Sequence, residues 1–223
     1  MKTPYWIKQV IGTSLFFSIL FLSAGRINYW QGWVYVAIGF VMVILSYTAL
    51  QIDTELSVER SKPGENTKKW DKAILGLSLL ATISMYIIGG LDSGRYHWSP
   101  DFHTGLYLVG MIMTASGQLL FLIAQKQNHF FSSTVRIQTD RNHTVCKTGL
   151  YSVVRHPAYM GSTVQALGFP LLFGSLWSIV PVCILVTLFI IRTNLEDRTL
   201  VEELEGYLEY SRETRYRIIP LLW

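Results

Sequence analysis

Four stretches of this chain, Val10–Ala24, Trp33–Ile52, Ala73–Leu91 and Gly105–Ala124, contain no Asp, Glu, Lys or Arg. Most approach the roughly 20 residues that carry a helix across a bilayer. Only 15% of the chain is charged, against about 25% in soluble domains, so these runs have no soluble fold to share. A fifth uncharged region, Ala158–Ile191, is 34 residues long, too long for one crossing. Pro170, followed by Gly174 and Ser175, places its break at 170–175 and predicts a tight helical hairpin. The expectation is an all-α, polytopic membrane protein with about six transmembrane helices, the last two a hairpin. Gly25-Arg26 after the first run is not a small-x-small cleavage signature, which favours a retained helix over a removed signal peptide.

The basic residues agree with that count. With the N-terminus inside, 17 of the 19 Lys and Arg fall on the cytoplasmic side, and only Arg26 and Arg95 fall outside. This is the separation that membrane insertion imposes. It predicts both termini in the cytoplasm, and it explains the basic residues without nucleic acid. The loop Asp53–Lys72, with five acidic and five basic residues and Pro63-Gly64, reads as a solvated connector. Tyr29, Trp30 and Trp33, and Tyr96, Trp98 and Phe102, read as interfacial aromatics. Gln118 and Gln165, polar within apolar helices, read first as helix–helix bonding groups. Two cysteines, Cys146 and Cys183, support neither a disulfide framework nor a metal cluster, and no metal site is expected.

The unusual residues flank the hairpin. Residues 1–124 are expected to supply four transmembrane helices, and residues 125–223 a binding loop, the hairpin and a C-terminal helix, all in one integral unit. Before the hairpin stand His143-Thr144-Val145-Cys146, Gly149-Leu150-Tyr151 and Arg155-His156-Pro157-Ala158-Tyr159-Met160-Gly161. Pro157 suits the first turn of a helix, whose N–H groups would face whatever Arg155 and His156 hold. After the hairpin, Arg192 and Glu196 share a helix face at (i, i+4). Leu200, Leu204, Tyr207 and Leu208 then line one side of an amphipathic helix. Arg215-Tyr216-Arg217-Ile218-Ile219-Pro220 is expected to dock. Taken singly, these signals also fit an interfacial cap, a surface ion pair and belt aromatics.

In series they resemble the membrane methyltransferase family that includes isoprenylcysteine carboxyl methyltransferases and relatives acting on phospholipids and small thiols. The resemblance covers roughly residues 130–223 and ends on Tyr207-x-x-Tyr210 and Arg217-Ile218-Ile219-Pro220. It implies a cytoplasm-facing pocket for S-adenosylmethionine. His143, Thr144, Val145 and Cys146 would hold the cofactor through backbone and edge contacts, and Tyr151 would pack on it. Arg155, His156, Pro157, Ala158 and Tyr159 would wrap its amino-acid or ribose portion, Glu196 would meet a cationic or hydroxyl-bearing part, and Gln138 would match a family glutamine. Arg192 would be the catalytic residue, facing the acceptor with Glu196 as its neighbour.

The acceptor implied is a lipophilic or small membrane-permeable carboxylate, amine or thiol. Leu204-Glu205-Gly206 replaces a phenylalanine-glycine pair common in the family, which leaves that acceptor unassigned. Sterol-reductase-like enzymes using NADPH share an Arg-His-Pro-x-Tyr-x-Gly stretch, but they carry Asn and Asp where this chain has Ala158 and Ser162. A non-catalytic membrane regulatory protein is the third reading.

Overall fold

A computed structural model describes residues 5–52 and 67–223. Lys2 and the connector's Pro63-Gly64 lie outside them, as do the side chains of residues 5–9. The helices are α1 (Tyr5–Ala24), α2 (Trp30–Thr48), α3 (Lys69–Gly89), α4 (Thr104–Gln127), α5 (Pro157–Phe173), α6 (Ile179–Glu203) and α7 (Tyr207–Glu213). Among the described residues there is no strand. Four helices, α2, α3 with the π-type turn that extends it to Tyr96, α4 and α6, are long and apolar enough to cross a membrane. Leu22, Phe40, Leu80 and Ile112 stand exposed on the bundle's outside, where lipid rather than water suits them. This is an all-helical, multi-pass membrane architecture.

The hairpin forms with its break a little later than expected. Pro170 stays inside α5, and the chain turns at Gly174, whose φ of +63° is left-handed, a conformation glycine adopts without steric cost. Asp92, fully buried in the turn after α3, fixes the hairpin tip. It accepts from Ser175 Oγ at 2.6 Å and from Ser99 N–H and Oγ at 2.8 and 2.7 Å. Arg26 and Arg95 lie at this same end of the bundle, where their guanidinium groups meet the Ser93 and Leu22 carbonyls.

Tyr35 and Tyr86, with hydroxyls 2.6 Å apart, pack with Phe169 and Phe173 in the central core. The tightest seam joins α4 to α5. A Cβ at Gly117 would meet the Gly161 carbonyl oxygen at 2.6 Å, and one at Gly168 would meet the Gly110 carbonyl oxygen at 2.9 Å. Such direct backbone contact is the small-residue packing that apolar helices use in lipid, where hydrophobic exclusion does not drive association.

Two expectations need correction. The single amphipathic helix through residues 200–208 is two pieces. Leu200 belongs to α6, Leu204 is extended, Gly206 has φ +78°, and α7 starts at Tyr207. The end of the loop Asp53–Lys72 is not a solvated connector either, because residues 69–72 open α3 and Asp71 is fully buried.

Candidate functional site

The tail is fastened to the loop before the hairpin by backbone and charge. Arg155 N–H donates to the Tyr216 carbonyl and His156 N–H to the Arg217 carbonyl, both at 2.9 Å. Beneath them Asp197, on α6, accepts from Arg155 Nε and Nη2 at 2.8 Å each and from Arg217 Nε at 2.8 Å. Tyr207 Oη donates to the same carboxylate at 3.0 Å, and His156 Nε2 lies 3.2 Å from it. Arg155 Nη1 adds the carbonyls of Ser211, Thr214 and Arg215. A buried carboxylate is tolerated when it is multiply hydrogen-bonded to cations in this way. Leu204, Tyr207 and Tyr210 pack against Val145 and Ile137, and Tyr210 Oη donates to the Tyr151 carbonyl at 2.6 Å.

These contacts draw both hairpin-flanking strips around one cavity of about 630 Å³, within the roughly 300–1,000 Å³ typical of small-molecule sites. From the loop side His143, Thr144, Val145, Cys146, Tyr151, Arg155 and His156 line it, and Ala158 and Tyr159 follow from α5. From α6 come Phe189, Arg192 and Glu196. Gln138 and Pro157 are not on its wall. Gln138 Nε2 donates to the Phe130 carbonyl at 2.6 Å and its Oε1 accepts from Arg141 at 2.8 Å, so both ends of that amide brace the loop. Pro157 is buried at the first turn of α5, the position where its missing N–H is harmless.

The pairing of Arg192 also differs from expectation. Its Nε donates to Asp71 Oδ1 at 2.7 Å and its Nη2 to the Ser133 carbonyl at 2.8 Å, and the guanidinium lies 5.5 Å from the Tyr159 ring. Glu196 instead accepts from Tyr159 Oη at 2.6 Å. Gln118 and Gln165, read as helix-bonding groups, both line the cavity, and Gln165 also hydrogen-bonds Tyr35 of α2 as that reading expects.

Burial, with Arg141 and Arg136 nearby, holds the His143 imidazole down at about 4, so it is neutral at physiological pH. Burial pushes the Tyr151, Tyr207 and Tyr210 phenols up, keeping them protonated donors. Sequence reasoning missed Asp71, Asp197 and Arg136. Arg136 lines the cavity, and its Nε is buried with no hydrogen-bond partner among the described residues.

Residues 107–202 match the model of the isoprenylcysteine carboxyl methyltransferase family. Over this segment the chain is isoprenylcysteine carboxyl methyltransferase-like. It is 31% identical over 109 residues to the protein-S-isoprenylcysteine O-methyltransferase of Saccharomyces cerevisiae, covering 48% of this chain and 46% of that one. The enzyme of the same name from Xenopus laevis is 29% identical over 156 residues, covering 64% and 51%. The Rattus norvegicus enzyme is 26% identical over 117 residues, covering 49% and 39%. The matches thus span about half the length of these relatives or less. The matched segment contains α5, α6 and the loop between α4 and α5, which build most of the cavity.

Proposed function

We propose that this chain is an S-adenosylmethionine-dependent methyltransferase acting on a lipophilic or small membrane-permeable acceptor, a carboxylate, amine or thiol, at the cytoplasmic interface. The observation that carries this reading is the single cavity in which residues 143–146 face Arg192 and Glu196, with both strips drawn from the family-matched segment. The cavity's residues fit such a donor. Arg136 Nε is an orphaned donor suited to the carboxylate of an amino-acid portion. Glu196 suits a cation or a hydroxyl, and Tyr151 and Val145 offer apolar surface to a nucleoside.

S-adenosylmethionine supplies an electrophilic methyl group on a sulfonium. The chain's contribution is positioning: aligning an acceptor nucleophile with that methyl needs no protein covalent chemistry and can supply most of the acceleration. In this reading the backbone and edges of His143–Cys146, with His156, Ala158 and Tyr159 around the start of α5, hold the donor. Arg155 and Pro157 act behind them by fixing the loop, and Gln138 braces it from outside. Arg192 orients the acceptor, and Gln118, Gln165 and Phe189 form the acceptor's wall toward the membrane. Residues 1–124 serve as the transmembrane scaffold and residues 125–223 as the site. The segregation of Arg26 and Arg95 at the opposite end of the bundle supports a cytoplasmic cavity and cytoplasmic termini.

Calorimetry on detergent-purified protein tests the reading. S-adenosylhomocysteine should bind with low-micromolar or tighter affinity, and Glu196→Gln should weaken it. Saturable NADPH binding with no binding of the sulfonium donor or its product would overturn the assignment.

A further inference from the structure

Asp71 lies in the first turn of α3, upstream of the segment that matches the family. Its carboxylate is fully buried. Oδ1 accepts from Arg192 Nε at 2.7 Å, while Oδ2 accepts from Arg192 Nη2 at 3.3 Å and from Val135 N–H at 2.8 Å. One edge of the guanidinium is thus held side-on by a carboxylate, a geometry that fixes its plane as well as its position. The same carboxylate pins residues 133–135, which form the adjacent cavity wall, because Arg192 Nη2 also reaches the Ser133 carbonyl at 2.8 Å. Nη1 makes no hydrogen bond to another described residue. It is the corner of the guanidinium left for a ligand, beside the Tyr159 ring.

We propose that Asp71 is a positioning residue for the transfer: it locks Arg192 in the orientation that presents Nη1 to the acceptor. The inference rests on the methyltransferase reading and gives the first half of the chain a part in the reaction beyond scaffolding. Without Asp71, a long arginine side chain loses the contact that selects one of its rotamers. An uncompensated charge at the membrane end of α6 would then turn toward water or toward Glu196, one turn further along the same face. The donor contacts proposed at His143–Cys146 involve neither Asp71 nor Arg192 and should persist.

The test uses the full chain in detergent with radiolabelled S-adenosylmethionine and three probe acceptors: N-acetyl-S-farnesylcysteine, hexadecylamine and hexadecanethiol. With a probe that the wild type methylates, Asp71→Asn should lower kcat at least tenfold and keep the dissociation constant of S-adenosylhomocysteine within about threefold. Asp71→Glu should recover part of kcat, as a merely structural residue would not. Because Asp71→Asn leaves Arg192 buried without its partner, the double variant Asp71→Asn/Arg192→Gln provides a second measure. If Asp71 acts through Arg192, the double variant is no slower than Arg192→Gln alone.

Unchanged kcat in Asp71→Asn, equal loss of cofactor affinity and turnover, or additive losses in the double variant would overturn the role of Asp71 and leave the methyltransferase reading intact. A wild-type chain that binds no donor, or methylates none of the three probes, would overturn the reaction and this role with it.

Discussion

Replacing Asp197 by alanine removes the acceptor shared by Arg155, Arg217, Tyr207 and His156. Arg155 is only 8% exposed, so water does not take the place of the lost carboxylate. Breaking a buried ion pair from one side costs about 3–5 kcal/mol. Arg155 Nη1 keeps its carbonyl acceptors at 3.1, 3.0 and 3.3 Å, which holds the loss near the lower bound, about 3 kcal/mol. That loss falls on one contact, the docking of α7 and the tail against the loop at 151–156. At 1.4 kcal/mol per factor of ten, about 3 kcal/mol raises the undocked fraction roughly 100-fold. Limited trypsinolysis reads this directly, because cleavage at Arg212 and Arg215 tracks the open population when reclosing outpaces cleavage. Mass spectrometry should show tail cleavage accelerated by about two orders of magnitude in Asp197→Ala. A rate within threefold of wild type would refute the view that this carboxylate holds the tail.

The neutral His143 gives a pH dependence of definite sign. Its folded value of about 4 lies below the ordinary 6.5, so its contribution to loop stability is intact above about pH 6.5 and is lost as pH falls toward about 4. Affinity for S-adenosylhomocysteine should therefore drop across that window more steeply in wild type than in His143→Gln, and parallel profiles would remove His143 as the cause. Two glycine variants should diverge in thermal unfolding. Gly117→Ala drives a methyl into the α5 backbone and should destabilise strongly, whereas Gly76→Ala meets nothing within 4 Å and should be neutral or stabilising by roughly 0.5–1 kcal/mol. Equal melting points for the two would contradict the α4–α5 contact.

The helices were legible because a bilayer demands long uncharged runs, and each of the four N-terminal runs lies largely within a helix, although α1, α3 and α4 also take in charged residues at their ends. The hairpin was legible from the length of its uncharged run, although Pro170 was a weaker guide to the turn than Gly174, since a proline late in a helix can be absorbed. Of the cavity-lining residues, His143–Cys146, Tyr151, Arg155, His156, Ala158, Tyr159, Arg192 and Glu196 stood out as unusual sequence beside apolar helices. Asp71 did not, because Lys68-Lys69-Trp70-Asp71-Lys72 looks like water-facing sequence. Its burial depends on an arginine 121 positions away. The (i, i+4) rule singles out Glu196 and passes over Asp197 because it sees only neighbours on one helix. Asp197 points about 100° further round, toward a loop and a tail that no local spacing relates. Gln138 was given to the cofactor by motif matching alone, and the loop's internal hydrogen bonds take it elsewhere.

The glycine seam between α4 and α5 bears on traffic as well as on architecture. Helices whose main chains touch at Gly117–Gly161 and Gly110–Gly168 have no side chains between them to swing aside, so no acyl or prenyl chain slips through that joint. Under the proposed function, hydrophobic cargo would come and go along another margin of the chamber, and α6, whose Phe189 lines the cavity, borders it. Bulk at Phe189 would then govern how fast a methylated product leaves, and turnover could be throttled there without any change at Arg192 or at the nucleoside end.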